Sequence, residues 1–294
     1  MPKLSKLLPA KLRSKMGMDA AIIPVVRLEG AIMSGGSALR QNLNLAGCAS
    51  RLKRAFEMKE APCVAIIVNS PGGSPVQSRL IYQRIRDLAT EHDKKVHVFV
   101  EDAAASGGYM IACAGDQITA DPSSIIGSIG VVSSGFGFVG AINKLGVERR
   151  VHTAGLNKSV LDPFLPEKAQ DIKRLKELQL EIHGVFIDLV KASRSDKLVE
   201  DKSMFTGMFW TAGPAKDMGL IDGIGDLRGT LRGFYGEKTK LKLVEAKKGL
   251  LGRSASMGIS GLGIPVMDAN LGHQIADGLL STAEERALWG RIGL

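Results

Sequence analysis

Two apolar runs, each ending in a Gly-Gly turn, constrain this chain more than any other feature. The first is Cys63-Val64-Ala65-Ile66-Ile67-Val68-Asn69, followed by Ser70-Pro71-Gly72-Gly73-Ser74. The second is Val96-His97-Val98-Phe99-Val100, which leads into Asp102-Ala103-Ala104-Ala105-Ser106-Gly107-Gly108-Tyr109-Met110. Runs that are continuously apolar and β-branched read as strands covered on both faces, the habit of parallel sheets packed between helices. Pro71 stops the first run, and paired glycines let each chain turn sharply into a following helical pattern. Strand, tight turn and helix in repetition define an α/β fold with right-handed crossovers.

Extended along the chain, the same reading gives strands near 22–28, 63–69, 96–101, 116–119, 129–132 and 147–152. Helices are predicted near 38–57, 75–91, 107–114, 136–145 and 166–193, the last beginning after Pro166 with charge along one face. Residues 246–270 change to glycine, serine and lysine with scattered apolar residues, the composition of a linker. Ser281-Thr282-Ala283-Glu284 fits a capping box that opens a final helix. The chain divides into a basic arm over 1–18, a main domain over 19–235, and a C-terminal extension over 236–294. No internal repeat is visible.

Ser106 sits where a predicted strand turns into a helix, which is where a nucleophilic serine would be held. A helix N-terminus there favours a developing oxyanion. A plain N-cap serine is the other reading. The Gly72-Gly73 turn would leave backbone N–H groups pointing outward, as an oxyanion hole requires; an ordinary loop is its alternative. A serine hydroxyl needs a base. Of the five histidines, His92 lies in a polar loop, His97 alternates within a strand and His183 falls inside a long helix; His273 likewise has no site-like context. His152 is the least poor histidine candidate. The loop after it, Gly155-Leu156-Asn157-Lys158-Ser159, offers a lysine instead, as in Ser-Lys variants of the triad, although a random lysine is usually a surface one.

Taken together, these segments resemble the signal peptide peptidase family, the S49 or SppA-like Ser-Lys serine peptidases. The matching pieces are Asn69-Ser70-Pro71-Gly72-Gly73, Ala105-Ser106-Gly107-Gly108-Tyr109, Ile126-Gly127-Ser128-Ile129-Gly130-Val131 and Gly155-Leu156-Asn157-Lys158-Ser159. Phe209-Trp210-Thr211-Ala212-Gly213-Pro214-Ala215 and Gly219-Leu220-Ile221-Asp222 also fit, although the family pattern has an arginine near Met208 and a glutamine near Pro214. The resemblance covers about residues 20–230, in the family's order. It implies a ClpP/crotonase-like superfold of repeated ββα units, with Ser106 as nucleophile and Lys158 as general base and acid. It further implies Ser128 as the lysine-orienting residue, and Gly73 and Gly107 as the oxyanion hole. A lysine with an ordinary pKa near 10.4 must be brought to about 7–8 to serve, which burial can do. Leu156, Val160, Leu161 and Phe164 flank Lys158 as a candidate lining. Because the double-length members unite serine and lysine from two repeats, a single copy implies a ring-shaped homo-oligomer with Ser106 of one protomer meeting Lys158 of the next.

Charge and cysteines bound the remaining classes. The formal net charge is +9, concentrated in residues 1–18 and in Lys238, Lys240, Lys242, Lys247 and Lys248. The arm carries Leu4, Leu8, Leu12 and Met16 between its bases. It reads either as a peripheral contact with an anionic membrane or as a disordered arm. Neither cluster is interleaved with aromatics, so no nucleic-acid partner is expected. Cys48, Cys63 and Cys113 have no metal-ligand or paired spacing, which fits a reducing compartment; a cytoplasmic setting is expected, with the basic arm as the candidate peripheral contact with the inner membrane. No apolar run approaches a membrane span. No metal or cofactor is expected, and extended peptides are the expected substrates. Two alternatives remain: crotonase-like acyl-CoA chemistry on the same superfold, and a catalytically inactive scaffold.

Overall fold

The computed structural model describes residues 20–35, 42–245, 282–283 and 285–294. In chain order the elements are β1 (Ile22–Glu29), α1 (Leu45–Phe56), β2 (Cys63–Ser70), α2 (Pro75–Glu91), β3 (Lys95–Ala105), α3 (Gly107–Ala112), β4 (Gln117–Ala120) and β5 (Ile125–Gly127). They continue with α4 (Val139–Lys144), α5 (Ala169–Arg194), β6 (Phe209–Thr211), α6 (Ala212–Asp217), β7 (Gly223–Ile224), α7 (Leu227–Tyr235) and β8 (Lys240–Leu243). A further helix covers residues 285–290.

The parallel strands β1, β2 and β3 form the centre of the sheet, and β8 adds in parallel outside β1. Beyond β3 the sheet forks. His97 to Val100 of β3 pair with β4, whereas Ala103 to Ala105 pair with β5. The first branch continues into β7 and the second into the antiparallel β6. At the fork the β2–β3 register shifts between Val68 and Ser70. Asn69 fills the irregularity, donating from Nδ2 to Asp102 Oδ2 at 2.6 Å and accepting the Ala103 N–H at 3.2 Å. Such an irregularity bends a strand and re-aims the residues beyond it. On β3 those residues lead to Ser106.

The apolar runs are continuous because both faces are covered. Val64, Ile66 and Val68 join the core beneath α1 and α2, with Leu52, Phe56, Ile81 and Ile85. Cys63, Ala65 and Ile67 face the opposite side and pack with Leu231 of α7. Each large buried aliphatic side chain contributes about 1.5–3 kcal/mol by leaving water. The helices start where capping chemistry allows. Asn44 accepts the Gly47 N–H at 2.9 Å before α1. Ser74 accepts the Gln77 N–H at 3.3 Å before α2, whose first residue is Pro75. This is the expected α/β architecture of the ClpP/crotonase-like superfold.

Several boundaries differ from the sequence reading. The strand predicted near 129–132 is absent, because Gly127 (φ 111°) and Ser128 (φ 53°) turn the chain out of the sheet after β5. The segment near 147–152 is also not a strand. Val147 and Val151 stand exposed with no sheet edge beside them, and β-propensity acts only against neighbouring strands. The first helix begins at Leu45 rather than near 38, and residues 36–41 lie outside the described residues. So do the basic arm, the 246–270 linker, His273, and Ser281 and Glu284 of the capping box. β8 falls within the segment read as a C-terminal extension. Among the described residues no helix is long and apolar enough to cross a membrane.

A buried ionic cluster ties the end of α5 to the sheet. Arg194, 1% exposed, donates to both carboxylate oxygens of Asp222 at 2.9 and 3.0 Å and to the Gly219 carbonyl at 2.9 Å. Lys197 and the Ile118 N–H also donate to Asp222, each at 2.7 Å. Burial alone would raise the Asp222 pKa, but these donors outweigh it and hold the carboxyl below its usual range. The neighbouring Leu220 carbonyl accepts the hydroxyl of buried Tyr109 at 2.7 Å, which fixes α3 directly behind Ser106.

Candidate active site

Ser106 occupies the single residue between β3 and α3, with φ 50° and ψ −122°. A residue with a side chain in that sparsely populated region costs about 1–3 kcal/mol and persists only where its surroundings impose it. Here they do. Its N–H donates to the Gly127 carbonyl at 2.8 Å, and its own carbonyl accepts the Met110 N–H at 3.1 Å. All six residues of α3 are buried.

The first Gly-Gly turn packs directly onto the second. Ser70 is fully buried; its hydroxyl donates to Gly30 O at 2.7 Å and accepts the Gly72 N–H at 3.2 Å. Gly72 has φ 104°, and a Cβ there would stand 2.7 Å from the Ser106 Cβ. Gly73 has φ 138°, and a Cβ there would stand 2.1 Å from Ile32 O. The bonds that hold this turn use Gly72 O, which accepts the Ile32 N–H at 2.8 Å, and Ser74 N–H, which donates to Ile32 O at 2.7 Å. They flank Gly73 and leave its N–H outside the pairing. The Gly107 N–H, first in α3, has no intrahelical acceptor either.

Ser106, Gly73 and Ser128 line one cleft of about 630 Å³. Ser128 is held at φ 53° by its N–H bond to Met208 O at 2.7 Å. The helix over 285–290 and the residues after it close one side, with Ile292 buried against Ala103 and Ala105. A separate cavity of about 680 Å³ lies beside Glu101, Asp121 and Asp226 and contains none of these groups.

Four of the five site residues expected from sequence are thus adjacent: Gly73, Ser106, Gly107 and Ser128. Lys158 is not with them. It lies on an exposed turn, its N–H bonded to Gly155 O at 3.3 Å, and it does not line the cleft. The apolar lining expected around it is open, with Leu156 fully exposed and Val160 exposed. His152 is exposed as well. The sequence reading missed His183. This side chain reaches the Ser106 cleft from α5, and its Nε2 lies 3.0 Å from Ile129 O. No local signal could have found it, since only the packing of α5 on the segment after β5 brings it there.

Residues 89–235, half of the chain, match the model of peptidase family S49. A Brucella abortus protein named Na(+)/H(+) antiporter NhaA is 58% identical over 294 residues, 99% of this chain and 39% of that protein. An Enterococcus faecium protein provisionally named a signal peptide peptidase, SppA, is 28% identical over 253 residues, 85% of this chain and 70% of its own length. Protease 4 of Haemophilus influenzae is 36% identical over 207 residues, 69% of this chain and 32% of its own. The chain therefore spans about two fifths of the Brucella relative and a third of the Haemophilus one.

Proposed function

The chain belongs to peptidase family S49, and from that membership we propose that it is a serine endopeptidase acting through a Ser-Lys dyad. Ser106 Oγ attacks the peptide carbonyl as neutral Lys158 accepts its proton. The N–H groups of Gly73 and Gly107 hold the oxyanion. Lys158 returns the proton to the leaving amine, and water then releases the acyl group by the same route. Ser128 orients the lysine amine. Substrates are extended hydrophobic peptides, such as remnant signal peptides or misfolded membrane-associated proteins, acted on in the cytoplasm. The arm over residues 1–18 would provide a peripheral membrane contact.

The observation that carries this reading is the strained Ser106 packed against the Gly72-Gly73 turn. Lys158 standing outside its own chain's cleft supports a ring in which a neighbouring protomer supplies it. Exposed apolar residues from 132 to 165, among them Phe136 (82% exposed) and Leu145 (76%), support the same assembly. Apolar side chains exposed at this density along one segment fit an interface better than a surface facing water. Burial of Lys158 there would provide the desolvation its role requires.

The test is labelling by a serine-directed fluorophosphonate beside hydrolysis of an apolar peptide. Both are expected in the native protein and both lost in Ser106→Ala. Turnover of an acyl-CoA thioester without labelling would favour the crotonase-like alternative. Neither activity would favour a scaffold.

A further inference from the structure

We propose that His183 is a positioning residue that holds the backbone of residues 129–131 in place as one wall of the peptide cleft; this rests on the peptidase reading above. After β5 the chain leaves the sheet through Gly127 and Ser128, both at positive φ. Two backbone bonds secure that exit: Ser128 N–H to Met208 O at 2.7 Å, and Gly130 N–H to Ser128 O at 2.9 Å. The next backbone–backbone bond along the chain is from Phe138 N–H to Pro163 O. Ahead of it, Ile129 O is tethered by His183 Nε2 at 3.0 Å. A carbonyl only accepts, so Nε2 carries the proton and donates. Ile129 is fully buried, leaving its carbonyl no water to replace that donor.

His183 also marks a junction. On one side it lines the Ser106 cleft with Gly130 and Val131. On the other it lines a groove of about 230 Å³ with Val131, Lys176, Gln179 and Leu180. A peptide added as an extended strand along residues 129–131 would pass from cleft to groove beside this ring. A short substrate would occupy only the Ser106 side of this junction, and a long one both sides. Fixing the Ile129 carbonyl fixes the direction of the next backbone groups, and so the register in which a long peptide pairs.

Three variants separate this role from simple support. His183→Leu keeps volume and loses the donor. His183→Asn keeps an amide that is too short to reach. His183→Gln carries an N–H donor at the distance of Nε2. Each is assayed with a short chromogenic amide and an Ala/Leu decapeptide, by fluorophosphonate labelling of Ser106, and by anisotropy of a fluorescein-labelled decapeptide on the Ser106→Ala background. For the decapeptide, Leu and Asn are expected to raise KM and Kd about 5–10-fold with kcat within about two-fold, and Gln to restore both. The short amide, which engages the Ser106 side alone, should lose clearly less than the decapeptide. An unchanged decapeptide KM, equal losses for both substrates, or no rescue by Gln would overturn the assignment. A wild type that neither labels nor cleaves would instead sink the peptidase reading, and the anisotropy arm would still decide whether His183 holds the wall.

Discussion

The N–H of Ser106 donates to the carbonyl of Gly127 at 2.8 Å, joining the strained serine of the cleft to the last residue of β5. That bond sets Ser106 at φ 50° and, through Gly127, fixes the start of the turn that carries Ser128 into the same cleft. The strain at Ser106 and the cleft wall are therefore one feature of the fork in the sheet.

Relief of that strain should be measurable. Ser106→Gly and Ser106→Ala both remove the hydroxyl, but only glycine adopts the Ser106 conformation freely. Gly loses more chain entropy on folding, yet the relief should exceed it, leaving Ser106→Gly about 1 kcal/mol more stable than Ser106→Ala. Urea unfolding of the two inactive proteins tests this. Equal midpoints would mean that the backbone there is not strained.

Gly73→Ala should be severe. The new Cβ would fall 2.1 Å from Ile32 O, at φ 138°. We expect a loss of stability of about 1–3 kcal/mol and a fall in kcat of about 10²-fold or more as the N–H leaves its position. Gly184→Ala, which has nothing within 4 Å of its Cβ, is the control. Native-like kcat in Gly73→Ala would remove Gly73 from the oxyanion hole.

The proposed ring can be tested by complementation. Ser106→Ala and Lys158→Ala proteins, each expected to be inactive alone, are dissociated, mixed and reassembled. Mixed rings should recover a fraction of native activity, because some junctions pair an intact serine with an intact lysine. Verified mixed rings with no activity would place the dyad within one protomer.

Stability should fall on mild acidification because of His97. Its Nε2 meets the Tyr235 hydroxyl at 2.9 Å, and its Nδ1 is buried without a partner. Burial pulls its pKa below the ordinary 6.5, against the pull of Asp116 and with that of Lys95. The unfolded chain then binds more protons, so stability is full above about pH 6.5 and declines as pH drops through the lower folded value. Urea midpoints at pH 7.5, 6.0 and 5.0 should follow this trend, and His97→Phe should flatten it. An identical slope in the variant would assign the decline to other groups.

The three thiols should be inert in the folded state. Burial pushes Cys48 and Cys63 up to about 11 and Cys113 up to about 12. A thiol reagent at pH 8 is expected to modify none of them before unfolding and all three after it. Rapid modification of any one in the native protein would contradict its burial.

The strand–turn–helix units are legible because their signals are local. Apolar period, Pro71 and the paired glycines sit within a few residues of one another, and that context singles out Ser106. The strand expected near 129–132 fails for an equally local reason, the positive φ at Gly127 and Ser128, which the apolar pattern of Ile129 and Val131 conceals. β5, β6 and β7 span only 3, 3 and 2 residues, too few for any period to register.

Which segments become buried strands, where the chain must turn, and which serine stands at such a turn can all be read from the order of residues. Each depends on neighbours in the chain, whose sterics and hydrophobicity act without reference to the rest. Folding in three dimensions is what pairs β3 with β4 along one half and β5 along the other, and what sets Gly72 against Ser106. It also brings His183 into the cleft and leaves Lys158 outside it. These are contacts between distant segments, set by how helices and strands fill a common core, and no spacing along the chain encodes them.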